Sequence, residues 1–121
     1  MKIVVVVSKN LMDLSKIRHA ARLSLNDVIT SSNHSKAISM MSAGAGDRMF
    51  KIIFDFDLYK GADLNAVRNH IESVAMHNHL KGTQYLSFVP HENIDEIQKT
   101  FPGIECVARS KFFRDPAKYL E

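Results

Sequence analysis

The chain opens with Ile3-Val4-Val5-Val6-Val7, five consecutive β-branched residues. Branching at Cβ suits a pleated strand and disfavours a helix. A run with no polar residue in either alternate set predicts a strand over residues 2–8 that is covered on both faces, as at the centre of an α/β sheet. Such a strand constrains everything after it, because the same chain must pack elements on both sides. With 121 residues there is material for one core and too little for two, so a single domain spanning 1–121 is expected.

The rest of the chain supplies candidates for those layers. Leu14, Ile17, Ala21, Leu25 and Val28 recur at helical spacing, with Asp13 as N-cap. Ser32 or Asn33 starts a short second helix through Ala37, Ile38 and Met41, stopped by Gly44 and Gly46. In 49–56, Phe50, Ile52, Phe54 and Phe56 alternate with Lys51, Ile53, Asp55 and Asp57, which predicts a strand with one strongly apolar face. Gly61 breaks the chain. Asp63 then caps a helix whose inward stripe is Leu64, Val67, Ile71, Val74 and Ala75, ending at Gly82. A third strand, 85–89, stops at Pro90. Asn93 with Glu96 forms a capping-box-like start to a short helix carrying Ile94, Ile97 and Phe101. Residues 104–113 supply a fourth strand, and 114–121 a tail or final helical turn. The order β-α-α-β-α-β-α-β predicts an α/β domain with a mixed or mainly parallel sheet of about four strands.

Composition narrows the setting. The longest apolar run is far below the roughly 20 residues that cross a bilayer, and it is too short and wrongly flanked for a secretory signal. A lone cysteine, Cys106, fits a reducing compartment. A cytoplasmic protein without membrane contact is expected. The net charge of +3 permits a nucleic-acid partner without requiring one, and the excess sits in residues 1–62, which hold nine basic and five acidic side chains.

Four motifs invite chemistry. Met76-His77-Asn78-His79-Leu80 places two imidazoles close in sequence. On a helix, at about 100° per residue, they point roughly 200° apart, and His70 and His77 are separated by about 10.5 Å along the axis. Neither pair can share one ion, and His77, His79 and Lys81 read as last-turn cations facing the helix dipole. Ser42-Ala43-Gly44-Ala45-Gly46 lacks the Gly-Lys-Ser/Thr of a phosphate loop and precedes a strand, so a connector within 39–47 is expected. Cys106 falls in a strand and reads as a small buried hydrophobe. Asp55 and Asp57 near a strand end suit Mg²⁺ in principle. Over about seven residues, Ile52-Ile53-Phe54-Asp55-Phe56-Asp57-Leu58 resembles the nucleophile strand of haloacid-dehalogenase-like phosphatases, although Tyr59 and Lys60 replace that family's Thr or Val. Solvated acids ahead of a turn are the plainer expectation. No catalytic, metal or cofactor site is assigned.

The most usable surface is basic. Ser15, Arg18, Arg22 and Asn26 form the outer row of the first helix, with Lys16 and His19 beside it. Arginine suits such a role because its planar fork binds two oxygens at once. Arg109, Lys111, Arg114 and Lys118 surround Phe112, Phe113 and Tyr119, the mixture found on nucleic-acid and protein-binding surfaces, unless those rings close the core.

The opening strand, Asn10-Leu11, Ser15-Lys16-Ile17 and the helix His19-Ala20-Ala21-Arg22-Leu23-Ser24 resemble the start of the second class of peptidyl-tRNA hydrolases. The resemblance reaches about ninety residues in element order and about twenty in motif. It implies a compact α/β fold and cleavage of the ester joining peptide to tRNA. Met12-Asp13-Leu14-Ser15 stands where that family has a Gly-Lys-rich turn, no Gln follows, and Val89-Pro90-His91-Glu92 replaces its Asp-x-Gly-x-Thr-type loop. Only Lys16 is approximately placed for carry-over. Two functions are therefore expected. The first is a non-enzymatic binding or regulatory domain engaging a protein, ribonucleoprotein or nucleic-acid partner through Lys16, Arg18, His19, Arg22, Arg109, Lys111 and Arg114. The alternative is a hydrolase of a tRNA-linked substrate.

Overall fold

In the computed structural model, which describes residues 2–42, 49–59, 63–77, 83–90 and 93–121, Ile3–Val7 forms β1 and all five of its side chains are buried. It pairs in parallel with β2 (Asp27–Ser31) on one side and β3 (Met49–Asp55) on the other. Beyond β3 lie β4 (Gln84–Val89) and β5 (Glu105–Ala108), both parallel. The order is β2-β1-β3-β4-β5. Parallel neighbours require crossovers, and the helices that make them cover the two faces. These are α1 (Leu11–Ala21), α2 (Ser35–Ser42), α3 (Asp63–His77), α4 (Ile94–Thr100), α5 (Arg109–Arg114) and α6 (Pro116–Tyr119).

Alternation along β1 builds a core layer on each face of the one sheet. Ile3, Val5 and Val7 join Ile52, Phe54, Tyr85 and Val89 under Ala37 of α2 and Leu64, Val67 and Ile71 of α3. Val4 and Val6 join Ile53, Leu86, Phe88 and Val107 under Ile17 and Ala20 of α1, Phe112 of α5 and Tyr119 of α6. Aromatic stacking closes the second core: the Phe112 ring lies 4.9 Å from Phe88 and 5.1 Å from Tyr119. Among the described residues no helix is long and apolar enough to cross a membrane.

The α/β class and the parallel sheet agree with expectation, while the sheet has five strands where the sequence suggests about four. The additional strand is β2. The spacing of Leu25 and Val28 predicts that its residues continue the first helix, but α1 stops at Ala21 with Arg22 as C-cap. Two causes end it, the first remote in sequence and the second local. Ser24 Oγ accepts from the Asn26 N–H, and both side chains donate to the Leu120 carbonyl, pinning a turn. Val28-Ile29-Thr30 is then β-branched throughout and favours a strand. Leu25 is left 89% exposed.

Three further expectations change. Asn10 caps α1, its Oδ1 accepting from the Asp13 N–H at 3.1 Å, so Asp13 lies inside the helix and is buried. β3 is covered on both faces: Ile53 is buried, and Lys51 is buried with its Nζ donating to the Tyr119 carbonyl at 2.8 Å. The fourth expected strand ends at Ala108, and Arg109–Arg114 is helical, which directs Phe112 inward. The stops expected at Gly44, Gly46, Gly61 and Gly82 lie outside the described residues.

The position of the α1 terminus is directly testable. Leu25→Lys should leave the urea unfolding free energy within about 0.5 kcal/mol of the parent. Ile17→Ala, on the inner face of α1, should lower it by about 2–5 kcal/mol.

Candidate binding site at the carboxyl end of the sheet

A 2-1-3-4-5 order is that of flavodoxin-like doubly wound sheets, in which the crossovers from β1 and β3 diverge and leave a crevice beyond the strands' carboxyl ends. Here four strand ends supply its residues. Ser8, Lys9 and Asn10 follow β1; Asp55 ends β3 and Asp57 follows in a 3-10 turn, Phe56–Tyr59; Pro90 follows β4; and Arg109 follows β5.

The floor of the crevice is buried and hydrogen-bonded. Ser8 is fully buried, and its Oγ donates to Asp55 Oδ2 at 2.9 Å while accepting from the Asn10 N–H at 3.1 Å. Asp55 Oδ1 accepts from the Asp57 N–H at 3.1 Å. Burial pushes the Asp55 carboxyl above its usual value, with these two hydrogen bonds pulling the other way. Asp13, 1% exposed, pairs with Arg109 from the far end of the chain. That hydrogen bond raises the Arg109 pKa and keeps the guanidinium firmly protonated. The cation also lies 4.8 Å from the Phe113 ring centre and 5.8 Å from that of Phe88, in the range of cation–π attraction.

Three adjoining recesses run outward from this pair. The first, about 500 Å³, is lined by Lys9, Asn10, Asp55, Asp57, Leu58, Pro90 and Arg109. Pro90 and Arg109 also line a second, about 410 Å³, together with Lys16 and Phe113. Lys16 and Phe113 continue into a third, about 460 Å³, with Ser15, His19 and Pro116. The structure thus brings together Lys16, His19 and Arg109, which the sequence had placed on two separate surfaces. Lys16 Nζ stands 5.6 Å from the Phe113 centre.

Other members of the expected surface are not gathered there. Arg18 turns to β2, donating from Nε and Nη2 to the Thr30 hydroxyl at 3.2 and 3.0 Å. Arg22 is the C-cap of α1 and Asn26 lies beyond the helix, so the expected row Ser15-Arg18-Arg22-Asn26 is broken. Lys111 and Arg114 are exposed on α5 without lining the three recesses. Phe112 and Tyr119 belong to the core, and Phe113 is half-buried at its edge.

The remaining candidates divide similarly. Asp55 and Asp57 are not a solvated pair, because the strand ends between them and only Asp57 is exposed. Among the described residues no group of three or more His, Cys, Asp or Glu side chains is placed to share an ion. Cys106 is buried, and burial raises its thiol pKa. His77 is the last residue of α3, His79 and Lys81 lie outside the described residues, and His70 meets His34 edge to face at 6.3 Å. Ser42 ends α2, and the glycines after it lie outside the described residues. The residues missed from sequence were Ser8 and Asp13. The available signal was Asn10 three positions before Asp13, which moves the cap and frees the acid for another partner.

No protein-family model matches the chain, and no characterised protein matches it significantly by sequence. In structure it is similar to a de novo designed Rossmann 2x3 fold protein solved by solution NMR, with a TM-score of 0.58 and 18% identity over 99% of this chain and 90% of that one. The chain is therefore a small α/β domain of Rossmann-like 2x3 architecture. That likeness concerns the fold alone.

Substitutions at three positions test the floor. Arg109→Ala leaves Asp13 buried without its cation and should lower stability by about 3 kcal/mol in chemical denaturation, with Asp13→Asn in the same chain restoring part of the loss. Because the folded protein binds a proton at Asp55 more tightly than the unfolded chain does, stability should fall as pH rises from about 3.8 through the higher folded value. Asp55→Asn should flatten that slope in melts across the acidic range and keep the parent's stability at pH 7.

Proposed function

We propose that this is a cytoplasmic, non-enzymatic binding domain that engages a protein or ribonucleoprotein partner through the outer face of α1 and the adjoining edge of α5. The observation that carries this reading is the surface around Lys16. Met12, Lys16 and His19 follow one another at i, i+4 and i+7 on α1, so they share a face. Met12 is 72% exposed, and Lys16 extends over the half-buried Phe113 ring without an ion pair among the described residues. Exposed thioether, aromatic edge and unpaired cation in one patch is the composition of a recognition surface. Lys111 and Arg114 add positive charge on α5, whereas Arg109 is held by Asp13 and serves to position Phe113.

Affinity capture from native lysate, with nuclease-treated and untreated samples compared, separates the two partner classes. Lys16→Glu combined with Lys111→Glu should reduce recovery of the partner about tenfold while leaving the melting temperature unchanged. Undiminished recovery would rule this surface out. A phosphate-rich partner should also be lost steeply with increasing salt, and a protein interface only weakly.

The second reading is a hydrolase acting on a tRNA-linked substrate. It is favoured by the position of Lys16, the residue that the N-terminal resemblance carries over, in the recess beside Arg109. Release of peptide from peptidyl-tRNA by the parent, abolished by Lys16→Ala, would replace the binding reading.

A further inference from the structure

An open sheet presents two edges, and in this fold they differ. At the β5 edge the backbone is already capped. Gln98 Oε1 accepts from the Cys106 N–H at 2.8 Å and its Nε2 donates to the Ile104 carbonyl at 2.7 Å, so one side-chain amide stands in for a neighbouring strand. At the β2 edge no such cap is present among the described residues. The Asp27 N–H donates to the Lys2 carbonyl and the Ser31 carbonyl accepts from the Ser8 N–H, both at 2.9 Å. In a parallel ladder this turns the backbone groups of Asp27, Ile29 and Ser31 toward β1, and those of Val28 and Thr30 away from the sheet. We propose that a second copy of the chain docks here, β2 against β2 in antiparallel register about Ile29, making one sheet continuous across two molecules.

The outward groups are symmetric about Ile29. In this register Val28 of each copy lies opposite Thr30 of the other, and such a pair exchanges both of its N–H···O bonds. The Ile29 residues meet at the two-fold axis as a non-hydrogen-bonded pair, with their β-branched side chains adjacent. Charge favours the same direction. Arg18, held to the Thr30 hydroxyl, is exposed at one end of the edge, and Asp27 is exposed at the other. Antiparallel pairing sets the cationic end of each copy beside the acidic end of the other, where parallel pairing would set like beside like.

The strand also lacks the devices that keep edges apart. Edges are ordinarily blunted by lysine, proline or a bulge. Val28-Ile29-Thr30 contains neither residue, and its register with β1 is unbroken. All three residues are only half-buried, whereas every side chain of β1 is covered. A strand of 5 residues makes a small interface, so the dimer is weak and forms at high chain concentration. The contact uses backbone groups of β2 and does not rest on the Lys16 surface.

Sedimentation velocity of the chain from about 10 μM to about 1 mM, a span that covers weak self-association, tests the pairing. The parent should pass from monomer to dimer within it. As the dimer fills, the amides of Val28 and Thr30 should gain protection from hydrogen exchange, while those of Ile29 and Ser31, already turned to β1, should change little. Thr30→Pro removes an outward N–H and spares the ladder to β1, so it should stay monomeric with the parent's circular dichroism. Arg18→Glu and Asp27→Arg should each weaken the dimer about fivefold at low salt, and the two together should restore it. That charge exchange decides the matter even where proline disturbs the strand. A chain monomeric throughout the span, association undiminished by Thr30→Pro or by either charge reversal, or concentration-dependent protection that spares Val28 and Thr30 would each overturn the proposal. The first of these outcomes would leave the edge to an extended segment of another protein.

Discussion

A strand with every side chain buried admits few solutions, and β1 imposes them on the whole domain. Its residues point alternately to two faces, so each face needs its own layer of helices. Its two edges are paired in parallel, so each connection must traverse the sheet and return. From this constraint follow the placement of α1, α5 and α6 against Val4 and Val6, the placement of α2 and α3 against Ile3, Val5 and Val7, and the divergence of crossovers that opens the carboxyl-end crevice. Hydrophobic burial at roughly 25 cal/mol per Å² drives both layers, and neither alone would shield the strand.

Periodicity read well where the apolar spacing stayed within one element. The β1 run, the Leu64-Val67-Ile71 stripe and the β4 strand are legible because their apolar spacing has a single interpretation. It failed where spacing continued by coincidence beyond the element that produced it. Leu25 and Val28 extend the α1 pattern, but the helix is ended by Ser24 and Asn26, whose partner is the carbonyl of Leu120. No local window contains that information. The same holds for Arg109, whose partner Asp13 is 96 positions away. Cations on α1 and α5 were identifiable as surface candidates, while their convergence on Phe113 is a property of the sheet order.

At the carboxyl end the arrangement is one of compensation. Asp13 is removed from water and held by a guanidinium, and Asp55 is removed from water and held by a hydroxyl and a backbone amide. Such pairing contributes little net stability relative to an apolar replacement, yet losing one partner is severe. The geometry instead ties α1 to α5 and the end of β1 to β3, so the surface above them has a defined shape. The compensation is incomplete: Asp13 Oδ2, like Arg68 Nε, Thr83 Oγ1 and Tyr85 Oη at the other end of the sheet, has no hydrogen-bond partner among the described residues.

The contacts made by residues 119 and 120 bear on the order in which the domain can be completed. The Tyr119 carbonyl accepts the buried Lys51 ammonium, and the Leu120 carbonyl holds the turn that separates α1 from β2. A chain emerging vectorially from the ribosome can align β1 and β3 early, but until residue 120 is free of the exit tunnel Lys51 lacks this acceptor and the edge strand lacks this anchor. Completion of the fold around β2 and β3 therefore waits on residues 119 and 120, far in sequence from both strands.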